Sequence, residues 1–255
     1  MKPNPFRSLS SLIALSFLAL IAPCQSLADD DPSRGMLRSL NIDNPAVQNT
    51  YYLSASVNND MSAGHYYYLY GEGLFALGKD WGLEADLPEI IGRQPLGQGP
   101  AAFESVGLDL RYVAYQFGTS DSDEAGVFSI QAGGDYAFPD ARFKFLSGSL
   151  TPELLGGYRS GKWFIQGNYG FNEMVDRESG NNLFANTGLG YSLSGDWFLQ
   201  VEANYTDFLN DPKLGTQWIF VPQVAFVTGD WLFELGEELN ESNAGTTDLL
   251  IAHTL

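Results

Sequence analysis

The sequence predicts an all-β protein, an antiparallel up-and-down transmembrane β-barrel of about twelve strands with both termini periplasmic. Three observations carry that expectation. From about residue 50 to the end, apolar and polar residues alternate with period two, the period with which a strand turns its side chains to opposite faces. Short and long connections alternate along the chain, as the two rims of a membrane barrel require. Four of the five tryptophans, Trp81, Trp163, Trp197 and Trp231, directly follow a short connection, which gathers the indoles into one ring at a membrane interface.

The N-terminal region is set apart from this pattern. Lys2 and Arg7 precede an apolar run from Leu9 to Ala22, then come the small residues of Ser26-Leu27-Ala28 and the acids Asp29-Asp30-Asp31. A run that short does not span a bilayer, and the arrangement reads as a cleavable export signal. The expected organisation is a signal peptide over 1–28, a polar, turn-rich periplasmic segment over 29–49 and an outer-membrane barrel over 50–255. Cys24 falls within the signal, so the exported part holds no thiol for a disulfide, a metal site or a nucleophile.

The whole chain has 13 basic and 31 acidic residues. Without Lys2 and Arg7 it carries 11 bases against 31 acids, a net charge of −20, which disfavours nucleic acid as a partner. No helix-length apolar run follows the signal, so a membrane role falls to alternating strands.

The strands read clearly in mid-chain. Trp163, Ile165, Gly167, Tyr169 and Phe171 alternate with Gln166 and Asn168; Trp197, Leu199, Val201, Ala203 and Tyr205 alternate with Gln200, Glu202 and Asn204. Similar runs cover Phe128–Phe138, Leu183–Ser192 and Trp81–Leu87, and others begin near Tyr51, Tyr66, Val106, Leu150, Trp218, Trp231 and Thr247. Runs of roughly nine to eleven residues suit tilted strands crossing a bilayer. A soluble β-sandwich also alternates, so the connections decide. Gly78-Lys79-Asp80-Trp81, Ser160-Gly161-Lys162-Trp163, Ser194-Gly195-Asp196-Trp197 and Thr228-Gly229-Asp230-Trp231 are short and nearly identical. Long polar loops are expected at 88–104, 139–149, 172–182, 206–216 and 240–246. Of the eleven bases outside the signal, Arg111 alone sits within a strand body, as expected where a lipid-facing Arg or Lys costs about 2–4 kcal/mol at the bilayer midplane.

Tyr70-Gly71-Glu72-Gly73, then Trp81-Gly82-Leu83-Glu84-Ala85-Asp86-Leu87-Pro88, then Val106-Gly107-Leu108-Asp109-Leu110-Arg111-Tyr112 resemble the outer-membrane transporter proteins of the meta-pathway of phenol degradation. Gly157-Tyr158-Arg159-Ser160-Gly161-Lys162-Trp163-Phe164 followed by Gly167-Asn168-Tyr169-Gly170 is similar to that family's central hairpin. The resemblance covers roughly residues 65–240. It implies an outer-membrane barrel for uptake of small compounds, aromatic ones among them. The chain departs from the usual barrel ending, with Leu255 in place of a final aromatic.

Polar residues opposite the apolar face define an expected lumen: Glu72, Glu84, Asp86, Asp109, Arg111, Asp135, Glu153, Glu202, Glu234 and Glu238. Rings of carboxylates favour cations in a pore, but a narrow or filled barrel of this size would use the same groups to satisfy one another. Arg111 is expected beside Asp86, Asp109 or Asp135, as an internal ion pair or as part of a solute site. In Tyr66-Tyr67-Tyr68-Leu69-Tyr70, alternation sends Tyr66, Tyr68 and Tyr70 to one face, either in an outer aromatic girdle or as a stacking surface inside.

His65 and His253 have no serine and acid at evident spacing, and no nucleotide or metal motif is present. The sequence-based expectation is therefore no enzyme and no cofactor. The expected partners are outer-membrane lipid and lipopolysaccharide, the barrel-assembly machinery and a small-molecule solute. The function read from sequence is a channel or transporter-like barrel for passive uptake, with a structural or surface-interaction barrel lacking an open pore as the alternative.

Overall fold

The computed structural model describes residues 40–58, 66–87, 90–93, 102–103, 105–119, 122–137, 148–175, 181–194, 196–209, 215–240 and 245–254. The signal expected over 1–28 lies outside them. Fourteen strand segments form one sheet: β1 (Thr50–Asn58), β2 (Tyr66–Ala76), β3 (Trp81–Asp86), β4 (Ile90–Arg93), β5 (Ala102–Phe103), β6 (Ser105–Phe117), β7 (Glu124–Ala137), β8 (Ser149–Ser160), β9 (Trp163–Met174), β10 (Asn182–Ser194), β11 (Trp197–Phe208), β12 (Thr216–Thr228), β13 (Trp231–Asn240) and β14 (Gly245–Thr254).

These segments make twelve staves, because two staves are interrupted. β3 and β4 both pair with β2, β3 through Glu72–Ala76 and β4 through Tyr66–Leu69. β5 pairs with β4, and β6 pairs with β3. The stretch 88–104, expected to be a loop, thus contains β4 and β5, a correction to the sequence reading. Its physical reason lies in β2, whose upper residues Tyr66–Leu69 extend beyond β3 and bond to β4. Pro88, which has no backbone N–H to give a ladder, falls between the two segments of that stave.

All neighbouring staves are antiparallel and follow chain order, and β1 pairs with both β2 and β14. The sheet therefore closes on itself and leaves no edge at the seam. Thr50 faces Thr254 there, with their hydroxyl oxygens 3.3 Å apart. An even stave number puts both chain ends of the barrel on the rim that carries the short turns. Two of those turns place Gly161 and Gly229 at φ 57° and 58°, the left-handed region where glycine avoids the Cβ clash.

The closed sheet is polar inside and apolar outside. Along β9 the exposure pattern alternates residue by residue, with Phe164, Gln166, Asn168 and Gly170 buried and Trp163, Ile165 and Tyr169 exposed. Leu108, Leu110, Ile130, Leu154, Leu199, Val201, Phe220, Leu235 and Leu249 all lie exposed on the outer face. Glu72, Glu84, Arg111, Gln131, Gln166, Glu202 and Glu234 are buried on the inner one. So much contiguous apolar exterior suits lipid rather than water. The fold is that of a twelve-stranded outer-membrane barrel.

Candidate functional site

The inner wall is layered. Nearest the tight-turn rim lies an apolar floor. Val113, Ala125, Val127, Phe164 and Ala225 form one cluster, joined by Val47, Phe198, Val227 and Leu232. Tyr52, Leu74, Leu250 and Ala252 form a second, joined by Leu40 and again by Leu232. Strands crossing this floor are apolar on both faces, outward for lipid and inward for the floor.

Just above it sits Arg111, fully buried on β6. Its Nη2 donates to Glu84 Oε2 at 2.5 Å and lies 3.8 Å from Asp43 Oδ2. Its Nε donates to Gln131 Oε1 at 2.6 Å, and its Nη1 donates to the backbone carbonyls of Asn44 and Ala46. The guanidinium thus spends its planar fork on two carboxylates, an amide and two carbonyls, the dense satisfaction that a buried charge requires.

This corrects the expected partners Asp86, Asp109 and Asp135. In the register, Arg111 stands between Gly82 and Gln131, whereas Asp86 and Asp135 both stand opposite Gly107. The two aspartates therefore sit four residues up the strand from Arg111, and Glu84 on β3, with Asp43 from inside the barrel, is within its reach.

Three of Arg111's partners, Asp43, Asn44 and Ala46, belong to residues 40–49, the described part of the segment expected over 29–49. These residues run inside the barrel. Ile42, Pro45 and Ala46 are buried. Ser129 on β7 donates to the Pro45 carbonyl. Across the lumen, Asn41 donates from its backbone N and its Nδ2 to Glu202 on β11, and Asn186 on β10 donates to the Asn41 carbonyl. Asn49 accepts from the Ala76 backbone N near the tight-turn rim.

The wall is shaped to admit this segment. A Cβ on Gly236 would lie 2.5 Å from Leu40 Cδ1, and one on Gly82 would lie 3.1 Å from Val47 Cγ2. Residues 40–49 therefore descend from mid-lumen to the rim and fill much of the lower half.

Acids dominate above Arg111. Glu153 accepts from Gln131 Nε2 and Asn168 Nδ2, each at 3.0 Å. Glu202 accepts from Asn204 as well as Asn41. Glu234 accepts from Gln200 Nε2 at 2.7 Å. Asp86 accepts from the Tyr70 hydroxyl at 2.5 Å, and Asp135 accepts from Ser149 Oγ at 3.1 Å. Asp86, Asp109, Asp135 and Glu238 are half-buried; Glu72, Glu84, Glu153, Glu202 and Glu234 are buried. All ten residues expected at the lumen thus lie on the inner face, though Glu84 and Arg111 are absorbed in one ion pair.

Sequence reasoning missed Asp43, Asp248 and Gln223; it set Gln131, Gln166 and Gln200 opposite the apolar face but did not count them in the lumen. Gln166 and Gln200 alternate with apolar neighbours and were legible by the same rule that found Glu202. Asp248 was hidden because Leu250 and Ala252, two and four residues on, face inward to the floor.

Trp81, Trp163, Trp197 and Trp231 all stand exposed on the outer face at the tight-turn rim. Each packs on a ring from the neighbouring stave: Trp81 on Tyr112 at 4.8 Å, Trp163 on Tyr191 at 4.6 Å, Trp197 on Phe226 at 4.8 Å and Trp231 on His253 at 4.4 Å. His253 is thus part of the outer ring pairs. Tyr68 and Tyr70 line an interior cavity.

No family model and no curated protein matches the chain. Solved structures do. A KdgM porin is similar over 81% of this chain and 99% of its own, at 12% identity and TM-score 0.50. An outer membrane channel of Pseudomonas putida F1 is similar over 86% of this chain and 100% of its own, at 9% identity and TM-score 0.52. Outer membrane phospholipase A of Escherichia coli covers 90% of this chain and 98% of its own, at 10% identity and TM-score 0.50.

At such identities the likeness concerns the barrel itself, which is of the outer-membrane type. The phospholipase corrects the expectation of no enzyme. An enzyme is built on a barrel as similar to this chain as the porin's, so the architecture supports no such exclusion.

Proposed function

We propose that the protein is an outer-membrane channel or transporter-like barrel for passive uptake of small solutes, with an acidic lumen entered from the long-loop rim. The observation that carries this reading is the inward acid layer set within an apolar exterior. Glu72, Glu153, Glu202 and Glu234 face the interior of a closed barrel whose outer face suits lipid. Carboxylates held in a low-dielectric wall favour cations along such a path. The resemblance of Tyr70–Pro88 and Val106–Tyr112 to the phenol meta-pathway transporters supports aromatic compounds among the solutes.

In this reading residues 1–28 are removed on export, and the tight-turn rim with Thr50 and Thr254 faces the periplasm. The barrel-assembly machinery inserts the chain into the outer membrane. Trp81, Trp163, Trp197 and Trp231 anchor the lower interface, where an indole keeps its ring in lipid and its N–H wet. Arg93 at the end of β4 and the cations Arg142, Lys144, Arg177 and Lys213 of the expected long loops meet lipopolysaccharide phosphates.

A second reading has its own support. Residues 40–49 and the apolar floor fill the lower lumen, as suits a structural or surface-interaction barrel without an open pore. Reconstitution in planar bilayers separates the two. Discrete, cation-selective conductance is expected for the channel; a silent bilayer with confirmed insertion favours the second reading. Liposome swelling with phenolic against aliphatic solutes then tests the solute class.

A further inference from the structure

The upper lumen contains a cavity of about 410 Å³ between β1, β2, β13 and β14. Leu40 and Asn41 belong to its lining, together with the hydroxyls of Ser54 and Ser56. Tyr68 and Tyr70 supply aromatic wall, and Asp248 and Glu238 supply charge. No lysine or arginine lines it among the described residues. Arg111, the buried base of the lumen, is committed to Glu84, Asp43, Gln131 and two carbonyls.

Asp248 is the informative residue. It is only 6% exposed, and its side chain hydrogen-bonds Ser56, yet its Oδ2 has no hydrogen-bond partner. Glu238 accepts from Asn41 and Thr246. The phenol proton of Tyr70 is already given to Asp86. The cavity is therefore lined by a buried carboxylate that has one oxygen without a hydrogen-bond partner, a second carboxylate and two aromatic rings. A buried charged acceptor left unmatched is costly. What complements it is a ligand that brings positive charge, N–H donors and a carbon body.

We propose that this cavity binds a small organic ammonium ion, its N–H groups donating to the Asp248 and Glu238 carboxylates and its hydrocarbon part lying against Tyr68, Tyr70 and Leu40. Cations seek both partners, the carboxylate by charge and the ring faces by their quadrupole. A bare metal ion fits less well. The trio of carboxylates that does converge, Asp43, Glu72 and Glu84 within 4.8 Å of one another, lies beside the Arg111 guanidinium instead. A cavity of this volume also far exceeds an inorganic cation.

The inference deepens the acidic-lumen reading and rests on it for the route by which the ligand arrives. Binding can still be measured apart from conduction. Isothermal titration of the full-length protein in detergent micelles, with n-butylammonium as probe, is expected to show saturable binding. Neutral n-butanol and anionic butyrate are expected not to bind.

Asp248→Asn should weaken butylammonium at least tenfold and Glu238→Gln severalfold. Asp207→Asn, on the outward side of β11, should leave it unchanged. Heat-modifiable gel mobility equal to the parent's confirms that each variant is folded. Equal affinity in folded Asp248→Asn, equal binding of n-butanol, or displacement of butylammonium by calcium ion at lower concentration would each overturn the proposal. Saturable binding in a protein whose bilayers stay silent would sink the channel reading while sustaining the site. Conductance without binding would do the reverse.

Discussion

The two halves of the lumen solve the problem of a polar interior in opposite ways. In the lower half the charge gathers on one buried base: Arg111 meets Glu84, Asp43, Gln131 and the carbonyls of residues 44 and 46, over an apolar floor around Phe164 and Leu74. In the upper half the acids outnumber their donors. Oxygens of Asp248, Asn168 and Asn204 are buried without a hydrogen-bond partner, and a cavity opens beside them. Matched charge and close packing fix a structure, while surplus acceptors leave capacity for a ligand. The lower half therefore reads as scaffold and the upper half as site, and substitutions in the two should fail differently.

The sharpest break comes at Arg111. Arg111→Ala takes the guanidinium away from the buried Glu84 and should cost about 3–5 kcal/mol of stability, measured by urea titration of refolding into lipid vesicles. A loss under about 1 kcal/mol would put the scaffold elsewhere.

Phe164→Ala opens the floor at a side chain 2% exposed and should cost about 3 kcal/mol in the same titration. Gly236→Val drives a branched side chain into the place of Leu40. It should cost about 1–3 kcal/mol and raise single-channel conductance by loosening the segment that crosses the lumen.

Trp163→Ala removes one ring pair at the rim and should cost about 0.5–1.5 kcal/mol, with tryptophan emission reporting the loss of an interfacial indole. Asp248→Asn should move stability by less than about 1 kcal/mol while lowering cation preference in reversal-potential measurements. A large stability loss there would erase the distinction between the halves.

The barrel was legible because a strand in lipid writes its two faces into alternate residues. The run from Trp197 to Tyr205 shows outward Leu199 and Val201 against inward Gln200 and Glu202, as read. The tryptophans after short turns gave the rim for the same local reason.

Contacts between staves were not legible to the same depth. Pairing Arg111 with Glu84 rather than Asp86 depends on a register fixed by the whole sheet, and alternation is blind to a shift of two residues. Strands β4 and β5 were hidden because four residues and two residues are too short to display a period. The course of residues 40–49 was hidden too, since a segment enclosed by a polar lumen needs no periodicity of its own. Asp248 escaped notice where the floor reverses the rule and turns Leu250 and Ala252 inward.

Closure of the seam has a consequence for biogenesis. Residues 40–49 lead directly into β1, which is joined to β14 along its whole length, so the wall around them is completed only where strands from far apart in the chain meet. Ile42 and Pro45 lie buried within that cylinder. The segment is thus tethered to a seam strand, so seating it and closing the cylinder engage the same stretch of chain.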